Sequence, residues 1–163
     1  MQQAGGQSEP GRPYAPGYGI PSGSKGLLPW GFAEERMAAA QNYWVATVRP
    51  DARPHLTPVW GVWVDGVFYF GSGPQTRKVR NLAENPSVAV HPAGDDVVIV
   101  EGVAEMIVEP DPALAEQVYA ASVAKYRMGS HDIEGSYAVR PRVVFAWTAN
   151  GFPDTTTRWM FDR

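Results

Sequence analysis

Between Tyr43 and Phe70 the chain alternates apolar runs with short turn signals, and this pattern limits what it can fold into. Tyr43–Val48 and His55–Val64 are rich in β-branched and aromatic residues, with the turn Arg49-Pro50-Asp51-Ala52-Arg53-Pro54 between them. Asp65-Gly66 then separates Val64 from Val67–Phe70, a strong short-range signal for a tight hairpin. Strands joined by so few residues pair antiparallel, because a parallel return needs a crossover of a dozen residues or more, roughly.

The rest of the chain continues the theme. Strands are expected over Ser87–His91, Val97–Val108, Tyr137–Thr148 and Thr155–Phe161, and Gly102 in the middle of the long Val97–Val108 stretch suggests a bulge or bend that curves the sheet. Helices are expected over Trp30–Asn42, Gln75–Glu84 and Pro112–Arg127, the last with Leu114, Val118 and Ala121 along one side. The fold class is therefore mainly β with a few helices, a six- to seven-stranded antiparallel barrel. Residues 1–26, rich in Gly, Pro, Ser and Gln, read as a flexible N-terminal arm, and 27–163 as the domain.

Composition removes several function classes. A chain of 163 residues carries 14 basic and 17 acidic side chains, a net charge of -3, which does not suit a nucleic-acid partner. No cysteine is present, and His55, His91 and His131 are scattered without ligand spacing, so no metal site is expected. Nothing resembles a signal peptide or membrane span, and the expected location is cytoplasmic. No nucleophile–histidine–acid set is legible either.

One local feature points toward a ligand. Gly71-Ser72-Gly73-Pro74-Gln75-Thr76 leads into a short helix whose first turns carry Arg77, Lys78 and Arg80. Cations sit poorly at a helix N-terminus, which already carries partial positive charge. The arrangement makes sense if an anion such as phosphate binds there, gripped by side chains and free backbone N–H groups. The alternative is a solvated basic turn. Arg80 is expected to pair with Glu84 one turn on, and Asn81 to cap or brace the loop.

Four stretches in this order resemble one family: Tyr43-Trp44-Val45-Ala46-Thr47-Val48 with Arg53-Pro54-His55; Thr57-Pro58-Val59-Trp60 with Phe68-Tyr69-Phe70; Thr76-Arg77-Lys78-Val79-Arg80-Asn81-Leu82; and Val143-Val144-Phe145-Ala146-Trp147 with Thr157-Arg158-Trp159. Together they resemble the split β-barrel flavin-binding family that includes pyridoxamine 5'-phosphate oxidase, and within it the actinobacterial flavin and deazaflavin (F420) oxidoreductases. The resemblance implies a homodimer with two cofactor sites at the subunit interface. It implies that Arg77 and Lys78 hold the cofactor phosphate, with hydroxyls from Thr76 and Ser72. The ring would lie along Thr57, Pro58, Val59 and Trp60, and Trp147 and Arg158 would reach the cofactor from the other subunit.

The family's vitamin-B6 oxidases carry an arginine and a histidine ahead of the last strand, where this chain reads Gly151-Phe152-Pro153-Asp154-Thr155-Thr156-Thr157. That departure argues against vitamin-B6 oxidation. The expected activity is hydride transfer from F420 to a small conjugated acceptor, with no catalytic side chain because the cofactor carries the chemistry. Alternatives are an FMN-dependent oxidoreductase and a non-enzymatic flavin or haem carrier. Arg12, Lys25 and Arg36 are candidates to meet the acidic tail of F420, and Tyr126 and His131 to roof a substrate pocket under the loop from 128 to 136.

Overall fold

The structure is a computed structural model that describes residues 9–162. Eight strands form one antiparallel sheet, wrapped with three helices into a split barrel. In chain order the elements are α1 (Trp30–Ala39), β1 (Tyr43–Val48), β2 (Pro54–Val59), β3 (Val62–Val64), β4 (Val67–Phe70), α2 (Arg77–Glu84), β5 (Ser87–Pro92), β6 (Val97–Met106), α3 (Pro112–Tyr126), β7 (Tyr137–Trp147) and β8 (Thr157–Met160). The sheet runs β2-β1-β5-β6-β7-β4-β3, with β8 added on β7.

The strand expected over His55–Val64 is broken, which yields an eighth strand where six or seven were expected. β2 ends at Val59, β3 begins at Val62, and Trp60 and Gly61 lie between. The cause is a close crossing. A Cβ on Gly61 would lie 2.3 Å from the Phe68 ring and 2.7 Å from the Tyr69 carbonyl. Asp65 and Gly66 form the expected hairpin turn, with φ of 48° and 77°. The bulge falls between Glu101 and Gly102 as expected, where a Cβ at 102 would meet the Arg140 carbonyl at 2.1 Å.

Pleat alternation sorts each strand into two faces. Val45, Val90, Val100, Val144 and Trp159 point inward and are fully buried. The outward positions register side by side: Leu56 with Ala46, Ala46 with Ala89, Ala89 with Glu101, Glu101 with Val143, and Val143 with Met160. That outer row is apolar except for Glu101, and Leu56, Trp44 and Met160 on this face are exposed. β2 is an edge strand with one neighbour, β1, and it carries Pro54 and Pro58.

α3 shows why its ends fall where they do. The Asp111 carboxylate accepts from the Ala113 N–H, Pro112 opens the first turn, and Arg127 closes the helix in the left-handed region at φ 64°. The expected arm is tied to the domain over the residues described. Gly11 bridges Arg158 through both backbone bonds, and Arg12 donates to the carbonyls of Gly23, Asp154 and Thr156. Residues 1–8 of that arm, and residue 163, lie outside the described residues. Among the described residues no helix is long and apolar enough to cross a membrane.

Candidate functional site

The β1–β2 turn and the start of α2 bring five basic side chains into one region. Arg49, Arg53 and Arg77 line a recess of about 200 Å³ together with Pro50 and Asp51. His55, at the start of β2, has its imidazole held below its ordinary pKa by burial first, and then by the charges of Arg49, Lys78 and Arg77. Partial burial likewise pushes the Lys78 amine down. The one carboxylate in the recess, Asp51, is engaged by Arg53 at 2.8 Å, and that contact, after the Arg53 backbone N–H, keeps its carboxyl low. Arg49, Arg77 and Lys78 have no carboxylate within ion-pair distance among the described residues.

α2 adds its own donors. Thr76 stands at the N-cap, yet no side chain caps the helix, and no acidic residue occupies its first turn. The Thr76 hydroxyl instead lies 2.9 Å from that of Ser72. His55 Nδ1 is buried and lacks a hydrogen-bond partner. Cations without counter-charges, an uncapped helix start and an orphaned ring nitrogen form a site suited to a phosphate-like anion. The sequence singled out Arg77 and Lys78 as anion ligands; Arg53 stood in the Arg53-Pro54-His55 stretch and Arg49 in the preceding turn, neither with a ligand role assigned.

β2 leads from this anion end toward a second feature. Thr57 and Val59 face inward, while Pro58 and Trp60 face solvent. Beyond Trp60 lies a cavity of about 210 Å³ walled by Trp60, Tyr69, Phe70, Tyr126, Ile107 and Ile133, with Ser122, Ser130 and Ser136 as neutral polar groups and Asp132 as its one charged side chain. The Trp60 indole stacks on Tyr126 with ring centroids 4.5 Å apart and planes within 2°. Tyr126 thus does line a pocket under the 128–136 loop. His131 does not; it is bound to Glu116 at 2.8 Å and stacked on Tyr119.

Two expected site residues lie elsewhere. Trp147, half-buried against Phe152, ends β7, and Arg158 belongs to β8. Four strand spacings along the sheet separate β7 from β2, about 19 Å at roughly 4.8 Å each. Arg158 Nε is buried and lacks a hydrogen-bond partner. Arg80 is exposed and forms no ion pair with Glu84, correcting the expected helix-face contact. Of the cations expected to meet an acidic tail, Arg12 is spent on carbonyls and Arg36 on Asp96 at 2.8 Å.

The split barrel is a fold shared by flavin-binding and heme-binding proteins. Residues 32–155 match the sequence profile of the pyridoxamine 5'-phosphate oxidase family, and the chain belongs to that family. The family binds flavin-type cofactors, includes oxidoreductases, and its members are typically dimers. Among curated proteins, none matches the chain. Solved structures similar to it include a conserved hypothetical protein of Mycobacterium tuberculosis (22% identity, 81% of this chain and 93% of that one, TM-score 0.63). An F420 reductase is 26% identical over 72% of this chain and 98% of its own, with a TM-score of 0.55. A heme-binding protein of Mycobacterium smegmatis shares the fold at 20% identity, over 77% of this chain and 57% of that one, with a TM-score of 0.60.

Proposed function

We propose that this chain is an oxidoreductase that takes the deazaflavin coenzyme F420 at the interface of a homodimer and reduces a small conjugated acceptor. The observation that carries the reading is the cation cluster without counter-charges at the uncapped start of α2, beside the free edge of β2. Arg77 and Lys78 would hold the phosphate, with the first-turn N–H groups and the hydroxyls of Thr76 and Ser72. Thr57, Pro58, Val59 and Trp60 would flank the ring along the strand. When bound, the cofactor supplies the hydride; the chain's own residues bind it, orient it and exclude water.

Trp147 and Arg158 enter this reading from the second subunit. The apolar outer row of the sheet offers the surface for that contact, and the partnerless Arg158 Nε is suited to a ligand held across it. F420 is favoured over FMN by Arg49, which has no carboxylate partner among the described residues and stands beside Arg77 in the recess. The acidic tail of F420 presents carboxylates beyond the phosphate, and the recess ringed by three guanidinium groups has room for them. Arg49 replaces Arg12 and Arg36 as the candidate for the tail. The cavity beyond Trp60, mostly neutral, suits a small planar acceptor without negative charge, given Asp132 in its wall. Asp154, ahead of β8, speaks against a phosphorylated vitamin-B6 substrate.

Titrating F420, FMN and haem against the apoprotein tests the cofactor. Tighter binding of F420 than of FMN is expected, and preference for FMN or haem would replace this reading with an FMN enzyme or a haem carrier. Lys78→Ala removes one charged hydrogen-bonding group worth about 1.5–3 kcal/mol, so the dissociation constant should rise by roughly ten- to a hundredfold. Unchanged affinity would sink the phosphate assignment. Turnover of enones, quinones and nitroaromatics by the loaded protein then separates an enzyme from a carrier.

A further inference from the structure

The free edges of β2 and β3 part at Trp60 and Gly61, and the end of α3 closes the gap. The Gly61 N–H donates to Tyr126 Oη at 2.9 Å, and the Gly61 carbonyl accepts from Lys125 Nζ at 3.1 Å. Tyr126 Oη, with one proton to give, lies 2.9 Å from the Gln41 carbonyl and 3.0 Å from the Gly61 carbonyl. Lys125 Nζ reaches on to Tyr43 Oη at 2.6 Å, and Tyr43 donates to the Met37 carbonyl. One lysine thus ties α3 to β1, to α1 and to the break in the barrel.

The ammonium does this without a counter-charge. Lys125 has no carboxylate within ion-pair distance among the described residues. Its partners are a phenol, a carbonyl, and the ring faces of Tyr43 and Tyr126 at 4.9 and 5.6 Å. Half-burying a cation among neutral groups is costly, and a leucine or methionine would fill the same space more cheaply. What the lysine adds is a second, charged donor on the carbonyl of Gly61, the residue after Trp60, which leaves the single Tyr126 proton for Gln41. Trp60 is in turn the 56%-exposed wall of the cavity, stacked on Tyr126, the residue after Lys125.

We propose that Lys125 is a positioning residue whose ammonium holds the Gly61 carbonyl and so fixes the Trp60–Tyr126 stack as the wall of the acceptor cavity. The acceptor part rests on the function proposed above; the fixing of Trp60 does not. Burial pushes the Lys125 amine down to about 8, so its hold weakens as the pH rises through that value. The titratable groups facing it are Tyr43 from β1 and Tyr126 from α3 itself, both raised above their ordinary value by burial and neutral in this range. β3 carries no titratable side chain, α1 presents the Met37 carbonyl, and the 128–136 loop carries Asp132 in the cavity wall and His131 bound to Glu116.

The emission of Trp60, taken as the difference between the wild-type and Trp60→Phe proteins, tests this without any cofactor. Followed from about pH 6.5 to about pH 9.5, it should change with a midpoint near 8. Lys125→Met should abolish that transition, and Lys125→Arg should restore a donor to Gly61 with no transition in the range. In the cofactor-loaded protein, Lys125→Met should raise the acceptor KM about tenfold. A flat Trp60 signal in the wild-type protein overturns the proposal, and that measurement needs no Lys125 variant to fold. A transition present in the wild type and lost in Lys125→Met, with acceptor KM unchanged, upholds the positioning and overturns the acceptor assignment of the cavity.

Discussion

Asn81 lies on α2 three residues after Lys78, fully buried, with Nδ2 donating to Thr47 Oγ1 at 2.9 Å. This bond fastens the cation-bearing helix to the inner face of β1. Thr47 is itself 1% exposed, so removing the amide strands a buried hydroxyl. Asn81→Ala should cost about 1–3 kcal/mol in denaturant unfolding. It should also weaken F420 binding more than a surface change of equal size in α3, since the helix start would lose its anchor. From the sequence alone Asn81 is expected to cap or brace the adjoining loop; its side chain instead holds Thr47 of β1, thirty-four residues away, a partner that could not be read from the chain. The same limit hid Lys125, an ordinary helical lysine until Tyr43 and Gly61 are placed beside it.

At the scale of elements, features with local causes were legible and those caused across the barrel were not. Asp65-Gly66 dictates its hairpin, and Gly102 marks its bulge, because each signal lies in the residues that bend. The break after Val59 has its cause in Phe68 and Tyr69 on the returning strand, so an apolar run from 55 to 64 looked continuous. α2 is the element in which stability and ligand binding compete. Thr76→Asp would supply the missing cap and an anion at the positive end of the helix, stabilising the protein by about 0.5–1 kcal/mol. The same carboxylate would occupy the place offered to phosphate, so F420 affinity should fall while the melting temperature rises. Differential scanning calorimetry alongside cofactor titration checks both halves, and a gain in both would contradict the anion site.

For the whole molecule, the outer row of the sheet makes the oligomeric state a direct test. Leu56 is 61% exposed at the β2 end of that row, and Leu56→Glu adds a second carboxylate to a row whose one charged residue is Glu101. Analytical ultracentrifugation should find a dimer for the wild type and a monomer for the variant, with F420 binding lost along with Trp147 and Arg158 of the second copy. Stability should also carry a signature at alkaline pH. The folded Lys125 releases its proton at about 8, whereas an unfolded lysine does so near 10.4. Between these values the unfolded chain binds more protons, so stability rises with pH. Above about 10 the sign reverses, because burial holds Tyr43, Tyr69, Tyr126 and Tyr137 in their neutral form while the unfolded phenols ionise. Melting temperatures measured across this range should rise and then fall, and Lys125→Met should flatten the rising limb, leaving the contribution of Lys78.

Pro54 and Pro58 occupy alternate positions on β2, the same parity as Leu56, on a strand whose other side is paired to β1. Antiparallel ladders turn alternate residues toward opposite neighbours, and a proline persists where its nitrogen faces away from the partner strand. The open side of β2 is thus left with carbonyls and the lone Leu56 N–H. An extended chain arriving there, from a nascent copy or a misfolded one, finds two of the three donors it needs missing. The edge that stays open to a small ligand is thereby closed to edge-to-edge aggregation.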